Sequence, residues 1–382
     1  MLPIYLDYAA ASPLDPQVLA AMQPFLTTEF HNPSATYSAG RQVRLALDDA
    51  RRQVAAVLGA RPSEIVFTAG GTEANNLAIH GVMRQYPAAN LVMSALEHRA
   101  TLKPAADYVT KVVPTADDGV LDPAAVAAAI DTETVFVSIM YANNEIGTVQ
   151  PLRAVAQLIA DIRKQRLKAG NRLPLLFHTD ACQAPNYLDM HAARLGIDLM
   201  SLNGSKVYGP KQSGALYIKG GVVLKPLVQG GGQERGLRSG TENIAGAVGF
   251  ATALQLAQEL RADESSRLQK LQKTFIQQLE AALPTMQING SRRQRLPNNV
   301  HLTVPGIDNE RLLIQLDEQG IMAAAGSACS ASSQTASTVL AALGLDEDAA
   351  RSSIRFSFGR QTTAEQLDRV VQVLTKLITP AA

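Results

Sequence analysis

The sequence predicts an α/β protein built on a mostly parallel sheet with helices on both of its faces. Between residues 65 and 218, short apolar runs of strand length alternate with segments of helix length. This alternation is typical of strands that are joined by crossover helices and lie parallel in one sheet. Hydrophobic residues make up 46% and charged residues 18% of the 382-residue chain, so it can bury a sizeable core.

The N-terminal segment is predicted to be extended and to lead into two helices. Residues 1–14 are extended, because two prolines disfavour a helix there. Asp15-Pro16 is a typical helix start, and this helix is predicted to run to about Leu26. A second helix is predicted over 41–58, since Gly59 follows it as a C-cap.

The alternating region contains six predicted strands and four predicted helices. Each strand is an apolar run bounded by turn residues, and each helix is a longer amphipathic or alanine-rich stretch. The strands span 65–68, 91–93, 135–140, 175–179, 199–202 and 214–218, and the helices span 73–86, 100–108, 124–129 and 151–168.

The pattern changes after Thr241, which predicts a second and smaller α/β unit. A long helical region covers about 242–282 without a strand inside it. Shorter elements follow it, with strands near 286–289, 299–304 and 354–358 and helices over 309–319 and from 362 onwards. We therefore predict a large domain over 15–254 and a small domain formed by 1–14 and 255–382.

Charge and cysteine content exclude several classes of protein. The net charge is +1 and no dense basic run is present, so nucleic acid is not an expected partner. No apolar run approaches the ~18 residues that a membrane span needs. Residues 1–7 lack the pattern of a signal peptide, and two cysteines are too few for a disulfide framework or a metal site. We expect a cytoplasmic protein without a membrane partner or a bound metal.

Lys206 and Asp180 are the strongest candidates for a site. Lys206 lies in a loop of small residues between the strands predicted over 199–202 and 214–218, where poor solvation favours the neutral, nucleophilic amine. Asp180 and Gln183 follow the strand over 175–179. Either Lys206 or Asp180 alone would more often be a surface or turn residue. Together they are the lysine and the carboxylate that pyridoxal 5′-phosphate (PLP) requires.

Other polar motifs follow neighbouring strands of the predicted sheet. Gly71-Thr72 opens a helix after a strand, and the N–H groups at a helix start can bind phosphate. His98 and Asn144 follow the next two strands, at the edge where open α/β sheets bind ligands. Each motif alone is weak, because a glycine before a helix is usually a turn and a lone histidine is usually a surface residue.

Two loops remain to be interpreted. The segment 230–241 combines five glycines with two arginines, which indicates a backbone shaped around a ligand or a subunit boundary, or else a flexible loop. Cys329 lies in a loop of small polar residues over 325–333, where a thiol can be exposed and reactive. Cys182 lies next to Asp180 and is interpreted as a packing residue.

Taken together, these motifs resemble the PLP-dependent cysteine desulfurases of the NifS/IscS type, in the class V aminotransferase group. The resemblance covers nearly the whole chain, and the motifs occur in the order found in that family. They are Asp7-Tyr8-Ala9-Ala10, Asn32-Pro33-Ser34, Gly71-Thr72-Glu73, Glu97-His98, Asn144-Glu145-Ile146-Gly147, Asp180 with Gln183, Lys206 with Tyr208-Gly209-Pro210-Lys211, Arg238-Ser239-Gly240-Thr241, Gly326-Ser327-Ala328-Cys329 and Ser353-Ile354-Arg355-Phe356-Ser357.

The resemblance implies a fold-type I PLP enzyme with a seven-stranded, mostly parallel sheet and a smaller domain that carries the catalytic cysteine loop. It implies three catalytic residues: Lys206 binds PLP and moves the substrate's α-proton, His98 stacks on the ring and shuttles protons, and Cys329 is the nucleophile. It implies a set of residues that bind PLP, namely Gly71, Thr72, His98, Asn144, Asp180, Gln183, Asn203, Ser205, Lys206 and Thr241, the last from a partner subunit. It implies that the substrate is bound by Asn32, Asn144 and Arg355.

The implied reaction converts L-cysteine to L-alanine and leaves the sulfur on Cys329 as a persulfide. The implied partners are a second copy of the chain and a sulfur acceptor, such as an iron–sulfur scaffold or a sulfur carrier. Among the departures from the family pattern, Ser205 stands where histidine is usual and Asn203 where serine is expected. We expect Ser205 to donate to the phosphate still, with altered affinity.

Two alternatives remain open from the sequence. The first is a PLP-dependent aminotransferase or β-lyase, including a selenocysteine lyase, that does not use Cys329. The second is a weakly active sulfur-relay protein.

Overall fold

The computed structural model describes residues 3–326 and 337–378. Its strands are β1 (Ile4–Tyr5), β2 (Ile65–Thr68), β3 (Asn90–Ser94), β4 (Val109–Val113), β5 (Thr134–Ser138), β6 (Leu176–Asp180), β7 (Leu199–Asn203), β8 (Gly214–Ile218), β9 (Gln287–Ile288), β10 (Asn299–Thr303), β11 (Ile321–Met322) and β12 (Ser353–Ser357). Its helices are α1 (Pro16–Thr27), α2 (Ser38–Leu58), α3 (Gly71–Met83), α4 (Arg99–Ala105), α5 (Pro123–Ala129), α6 (Leu152–Lys168), α7 (Ala192–Leu195), α8 (Ile244–Ala282), α9 (Asn309–Glu318), α10 (Thr338–Ala342), α11 (Glu347–Arg351) and α12 (Ala364–Ile378).

A seven-stranded sheet forms the centre of the molecule, in the order β2-β8-β7-β6-β5-β3-β4. The pairings among β3, β4, β5, β6 and β7 are parallel, whereas β8 is antiparallel to both of its neighbours. The exception has a simple cause, because β8 follows β7 through a short turn and a parallel pairing would need a longer crossover. The prediction of a mostly parallel α/β sheet is confirmed.

The predicted elements have their counterparts in the structure, with shifts of a few residues at their ends. α3 begins at Gly71, two residues before the predicted start, because Gly70 adopts a φ of 137° and makes the turn into the helix. β4 was not predicted, since it is a largely exposed edge strand whose residues alternate without a continuous apolar run. β1 and β11 are two-residue strands, which are too short for a periodic signal.

Two apolar cores lie along the helix α8, which has 39 residues. The N-terminal half of α8 buries Phe250 and Leu254 in the core of the seven-stranded sheet, and its C-terminal half buries Phe275 and Leu279 in a second core. The second core also contains Leu6 from the N-terminal segment together with residues of β10, β12, α9 and α12. The predicted division between residues 254 and 255 falls inside α8, and it stays a prediction.

In the ranges that the structure describes, no helix is both long and apolar enough to cross a membrane. Helix α8 is the longest of them, but charged residues are distributed along its C-terminal half.

Two residues of α9 offer a matched test of the second core. Leu316 is fully buried there, whereas Ile314, two residues earlier, is 62% exposed. We expect Leu316→Ala to lower the free energy of unfolding by about 2–5 kcal/mol, because it removes buried methyl groups and leaves a cavity. Ile314→Ala should change it by roughly 0.5 kcal/mol or less. Urea unfolding of both variants measures the difference, and equal losses would contradict the packing described here.

Candidate active site

The carboxyl ends of the parallel strands bring the predicted polar residues to one edge of the sheet. Asp180 is the last residue of β6, and Lys206 follows β7 in a 3₁₀ turn over Gly204–Lys206. His98 follows β3, where it caps the start of α4, and Asn144 follows β5. This is the edge at which open α/β sheets form ligand sites.

The Lys206 amine is held by the N-terminal segment. Its Nζ donates to the carbonyl oxygen of Ala9 at 3.0 Å and to that of Ala10. The turn that presents Lys206 is tight, because a Cβ atom at Gly204 would lie 2.2 Å from Ser213 Oγ. A side chain at position 204 would collide with Ser213, so this turn requires glycine. The tight turn in turn fixes the backbone position of Lys206.

Asp180 is a buried carboxylate with two donors on it. Its residue is 7% exposed, Asn75 Nδ2 donates to Oδ2 at 2.6 Å, and the backbone N–H of Cys182 donates to Oδ1 at 3.0 Å. Asn75 was not predicted from the sequence. It lies four residues after Gly71 on α3, and this one-turn spacing from a helix start at the strand ends is the signal that could have identified it.

The Ala9 carbonyl connects two of the predicted residues. It accepts from Lys206 Nζ and also from Gln183 Nε2, the latter at 3.0 Å. No pattern in the sequence predicts a role for this backbone group. The structure therefore brings Lys206, Asp180 and Gln183 together beside the N-terminal segment.

The start of α3 packs closely against Cys182 and Asn203. A Cβ atom at Gly71 would lie 2.4 Å from Cys182 Sγ and 3.5 Å from Asn203 Cβ, so this close approach requires glycine at position 71. Thr72 is exposed in the first turn of the helix. Burial, with a further contribution from Asp180, raises the pKa of the Cys182 thiol well above its usual range. A thiol that stays protonated agrees with a packing role for Cys182.

Arg355 lies on β12 and is 1% exposed. Its Nη2 forms an ion pair with Asp7 Oδ1 at 2.5 Å, and its Nη1 donates to the carbonyl oxygen of Asn144 at 3.0 Å. Its Nε has no hydrogen-bond partner among the described residues. The guanidinium is thus oriented from two sides, and it keeps donors for an additional anion.

His98 is half-buried, whereas its neighbour Glu97 is buried. The Nδ1 atom of His98 accepts from the backbone N–H of Ala100 at 3.0 Å, so a neutral ring carries its proton on Nε2. Glu97 is buried, and its Oε1 accepts from the backbone N–H of Met140 at 2.6 Å. Burial, with the Asp180 charge as a further cause, raises the pKa of Glu97 well above its usual range.

Three predicted residues are not joined to this group. Asn32 is exposed between α1 and α2, where its Oδ1 accepts from the backbone N–H of Ser34 at 2.8 Å. Thr241 is exposed just before α8. Cys329 lies outside the described residues. The roles assigned to all three from the sequence stay predictions.

The arrangement matches the chemical requirements of PLP. An amine that can bind an aldehyde, a carboxylate for a pyridine nitrogen and a helix start for a phosphate are all present at one sheet edge, in Lys206, Asp180 and Gly71. Helix α3 begins at Gly71, and the start of a helix is where an anion would be bound.

Comparison with known proteins decides the family. The model of the family described as aminotransferase class-V matches residues 4–370. The chain belongs to this family. The resemblance predicted from the motifs is therefore confirmed.

Matches to known proteins extend over nearly the whole length of this chain. It is 39% identical to the cysteine desulfurase IscS of Dictyoglomus turgidum, in a match that covers 98% of this chain and 94% of that protein. A solved NifS-like protein matches with a TM-score of 0.89 and 31% identity, covering 98% of this chain and 99% of the other. A structure described as SspA in complex with cysteine matches with a TM-score of 0.79 and 32% identity, covering 93% and 98%.

The raised pKa of Glu97 leads to a prediction for the pH dependence of stability. Because the folded state holds the Glu97 proton more tightly than the unfolded state, stability should fall as the pH rises from the usual glutamate range towards the raised value. Glu97→Gln keeps an oxygen for the Met140 N–H and removes the titration. Urea unfolding at a series of pH values should therefore show a flatter pH dependence for Glu97→Gln. An unchanged pH dependence would mean that Glu97 is ionised in the folded protein.

Proposed function

We propose that this protein is a PLP-dependent cysteine desulfurase that converts L-cysteine to L-alanine and transfers the sulfur to Cys329. The observation that carries the proposal is that the segment from Asp7 to Ala9 contacts both Arg355 and Lys206, in a chain whose match to a protein named cysteine desulfurase IscS is 39% identical and covers 98% of it. Lysine and aspartate serve the cofactor, and a buried arginine suits a carboxylate substrate.

The residues that would hold the cofactor divide by the part of it that they contact. Lys206 would bind the aldehyde carbon, Asp180 the pyridine nitrogen and Gln183 the ring oxygen. His98 and Asn144 would contact the ring. The phosphate would be held by Gly71, Thr72, Asn203, Ser205 and Thr241 of the partner subunit. When bound, PLP acts as an electron sink for negative charge at the substrate's α-carbon.

The carboxylate of L-cysteine would be bound by Arg355, with Asn32 and Asn144 nearby. The ion pair with Asp7 fixes the plane of the Arg355 guanidinium. A bidentate contact between this guanidinium and the substrate carboxylate would therefore have one defined geometry. The Asn144 carbonyl holds the other end of the guanidinium. Binding one carboxylate in one orientation places the substrate side chain on one side of the site.

Proton transfer falls to Lys206 and His98. Lys206 would take the α-proton of the substrate, and the Ala9 and Ala10 carbonyls that accept from its Nζ are suited to hold the resulting ammonium. His98, with Nδ1 occupied by the Ala100 N–H, has Nε2 available for a second proton transfer.

The sulfur step balances without an external oxidant. The thiolate of Cys329 attacks the sulfur of L-cysteine, an S–S bond forms and the Cβ–S bond breaks. The electron pair of the broken bond stays with the substrate and is protonated at Cβ, which yields L-alanine. Cysteine and a thiol thus become alanine and a persulfide, and the terminal sulfur is then available to a sulfur-acceptor protein.

Reduction with sodium borohydride tests the assignment of Lys206. Borohydride should fix PLP permanently on the peptide that contains Lys206, with a mass increment that tandem mass spectrometry can locate. Lys206→Ala should lose both this label and alanine formation, because the amine and the proton carrier are removed together. A label on another lysine, or near-normal alanine formation by Lys206→Ala, would show that the assignment is wrong.

The two cysteines provide a matched test of the sulfur transfer. Cys329→Ser should keep the visible absorption of the bound cofactor but lose alanine release and the persulfide, because the nucleophile alone is missing. Cys182→Ala should keep most of the activity, since its thiol has a raised pKa and packs against Gly71. Alanine production by both variants with L-cysteine and a reductant makes the comparison. If Cys329→Ser turns over like the wild type, a β-lyase takes the place of the desulfurase.

The proposed assembly is a homodimer in which Thr241 completes the partner's phosphate site. Light scattering should therefore give the mass of two chains for the PLP-bound protein. An active, PLP-bound monomer would exclude a site shared between subunits. Neither nucleic acid nor a membrane has a role in this proposal.

A further inference from the structure

The chain is held on both sides of Cys329 by contacts with the candidate site. Before Cys329, Ala324 exchanges two backbone hydrogen bonds with Arg355, one from its N–H at 3.2 Å and one to its carbonyl at 2.6 Å. After Cys329, the hydroxyl of Ser337 donates to Oε2 of Glu145 at 2.6 Å. Ser337 follows Cys329 by eight residues and is the first residue after it that the structure describes. The contact with Glu145 thus fixes the chain on the C-terminal side of Cys329.

Glu145 is suited to hold another segment because its own position is fixed. The residue is buried, its backbone N–H donates to Asn143 Oδ1 at 2.8 Å, and its carbonyl accepts from Asn299 Nδ2 at 2.9 Å. The residue before it, Asn144, holds Nη1 of Arg355 through its carbonyl. The same short segment therefore orients the Arg355 guanidinium and presents the carboxyl that binds Ser337.

Ser337 connects this carboxyl to helix α10. Its Oγ atom accepts from the backbone N–H of Leu340 at 3.2 Å, so it caps the start of the helix. The apolar side of α10 packs in a small cluster formed by Leu96, Met140, Ile146, Val339, Leu340 and Leu343. Apolar contacts are non-directional, whereas a hydrogen bond requires a defined geometry. The bond to Glu145 therefore fixes the orientation in which α10 begins.

The contact lies next to residues predicted to bind the cofactor and the substrate. Glu145 and Ser337 line one small cleft together with His98 and Asn144. The end of the segment that contains Cys329 is thus held at the edge of the sheet where the reaction would take place.

We propose that Glu145 is a positioning residue for sulfur transfer, because its hydrogen bond to Ser337 holds the chain on the C-terminal side of Cys329 beside the substrate site. The proposal rests on the proposed function, in which Cys329 takes the sulfur of L-cysteine. In this role Glu145 contacts neither substrate nor cofactor. Holding the chain on both sides of Cys329 reduces the conformational entropy that is lost when the thiol reaches the substrate sulfur.

Rapid mixing with L-cysteine separates substrate binding from sulfur transfer. The change in the visible absorption of the cofactor reports binding, and mass spectrometry of quenched samples reports the persulfide on Cys329. Glu145→Ala should slow persulfide formation by about threefold to tenfold, as expected for one lost hydrogen bond, and leave the rate of the absorption change at the wild-type value. Glu145→Gln should stay close to the wild type in both signals, since it keeps an oxygen for the Ser337 hydroxyl.

Hydrogen exchange of the α10 amides tests the anchor without any turnover. It is measured by mass spectrometry on the full-length protein in the absence of L-cysteine. Glu145→Ala should speed the exchange of residues 338–345, because the start of α10 is released. Glu145→Gln should not. Wild-type exchange in Glu145→Ala would mean that Ser337 is held by other contacts, and the proposal would be wrong.

A double-mutant cycle tests whether Glu145 acts through Ser337. Ser337→Ala removes the same hydrogen bond, so its combination with Glu145→Ala should transfer sulfur no more slowly than Ser337→Ala alone. If the two losses multiply, Glu145 acts independently of Ser337 and the proposal fails. Glu347→Ala removes a carboxylate on α11 whose side chain is 78% exposed, and it should match the wild type in both kinetic signals.

Two further outcomes decide between a positioning role and a structural one. Faster exchange in Glu145→Ala with an unchanged rate of persulfide formation would overturn the positioning role. If Glu145→Ala fails to fold, Ser337→Ala and Ser337→Thr take its place, because threonine keeps the hydroxyl and should restore the rate. A wild-type protein that forms no persulfide on Cys329 would refute the proposed function itself, whereas failure of the positioning role alone leaves wild-type persulfide formation intact.

Discussion

The segment from Asp7 to Ser12 is the constraint on which the candidate site depends. At one end, Asp7 pairs with the buried guanidinium of Arg355 on β12, which belongs to the second core. In the middle, the Ala9 carbonyl accepts from Lys206, which belongs to the central sheet. At the other end, the N–H of Ser12 donates to the Ser205 carbonyl at 3.0 Å. One short stretch of backbone thereby sets the relative positions of groups that lie far apart in the sequence.

The turn between β7 and β8 provides the second fixed point. Because β8 returns antiparallel to β7, the connection is short, and it leaves Lys206 at the sheet edge with little freedom. Close contacts around Gly204 leave no room for a side chain at that position. Tyr208 adopts a φ of 61°, which residues other than glycine rarely adopt. Because the backbone of Lys206 is held in place, only its side chain has to be oriented for a reaction.

Two buried carboxyl groups at this edge are in different environments. Asp180 has donors on both of its oxygens, from Asn75 and from the Cys182 N–H. Glu97 has one backbone donor, and among the described residues its second oxygen has no partner. Burial raises the pKa of Glu97 well above its usual range, and the neighbouring Asp180 carboxylate adds to this rise.

The sequence by itself determined the α/β class, most helices and strands, and the residues that meet at the strand ends. It could do so because apolar periodicity fixes the elements, and parallel strands bring their carboxyl ends to one edge. Lys206, Asp180 and Gln183 follow from that rule alone. Only the tertiary structure decided the contacts that run between distant segments, namely Asn75 with Asp180, Asp7 with Arg355 and the Ala9 carbonyl with Lys206. These depend on how the N-terminal segment, α3 and β12 pack together. Local sequence patterns do not predict that packing, because each of these contacts joins two residues that are far apart along the chain.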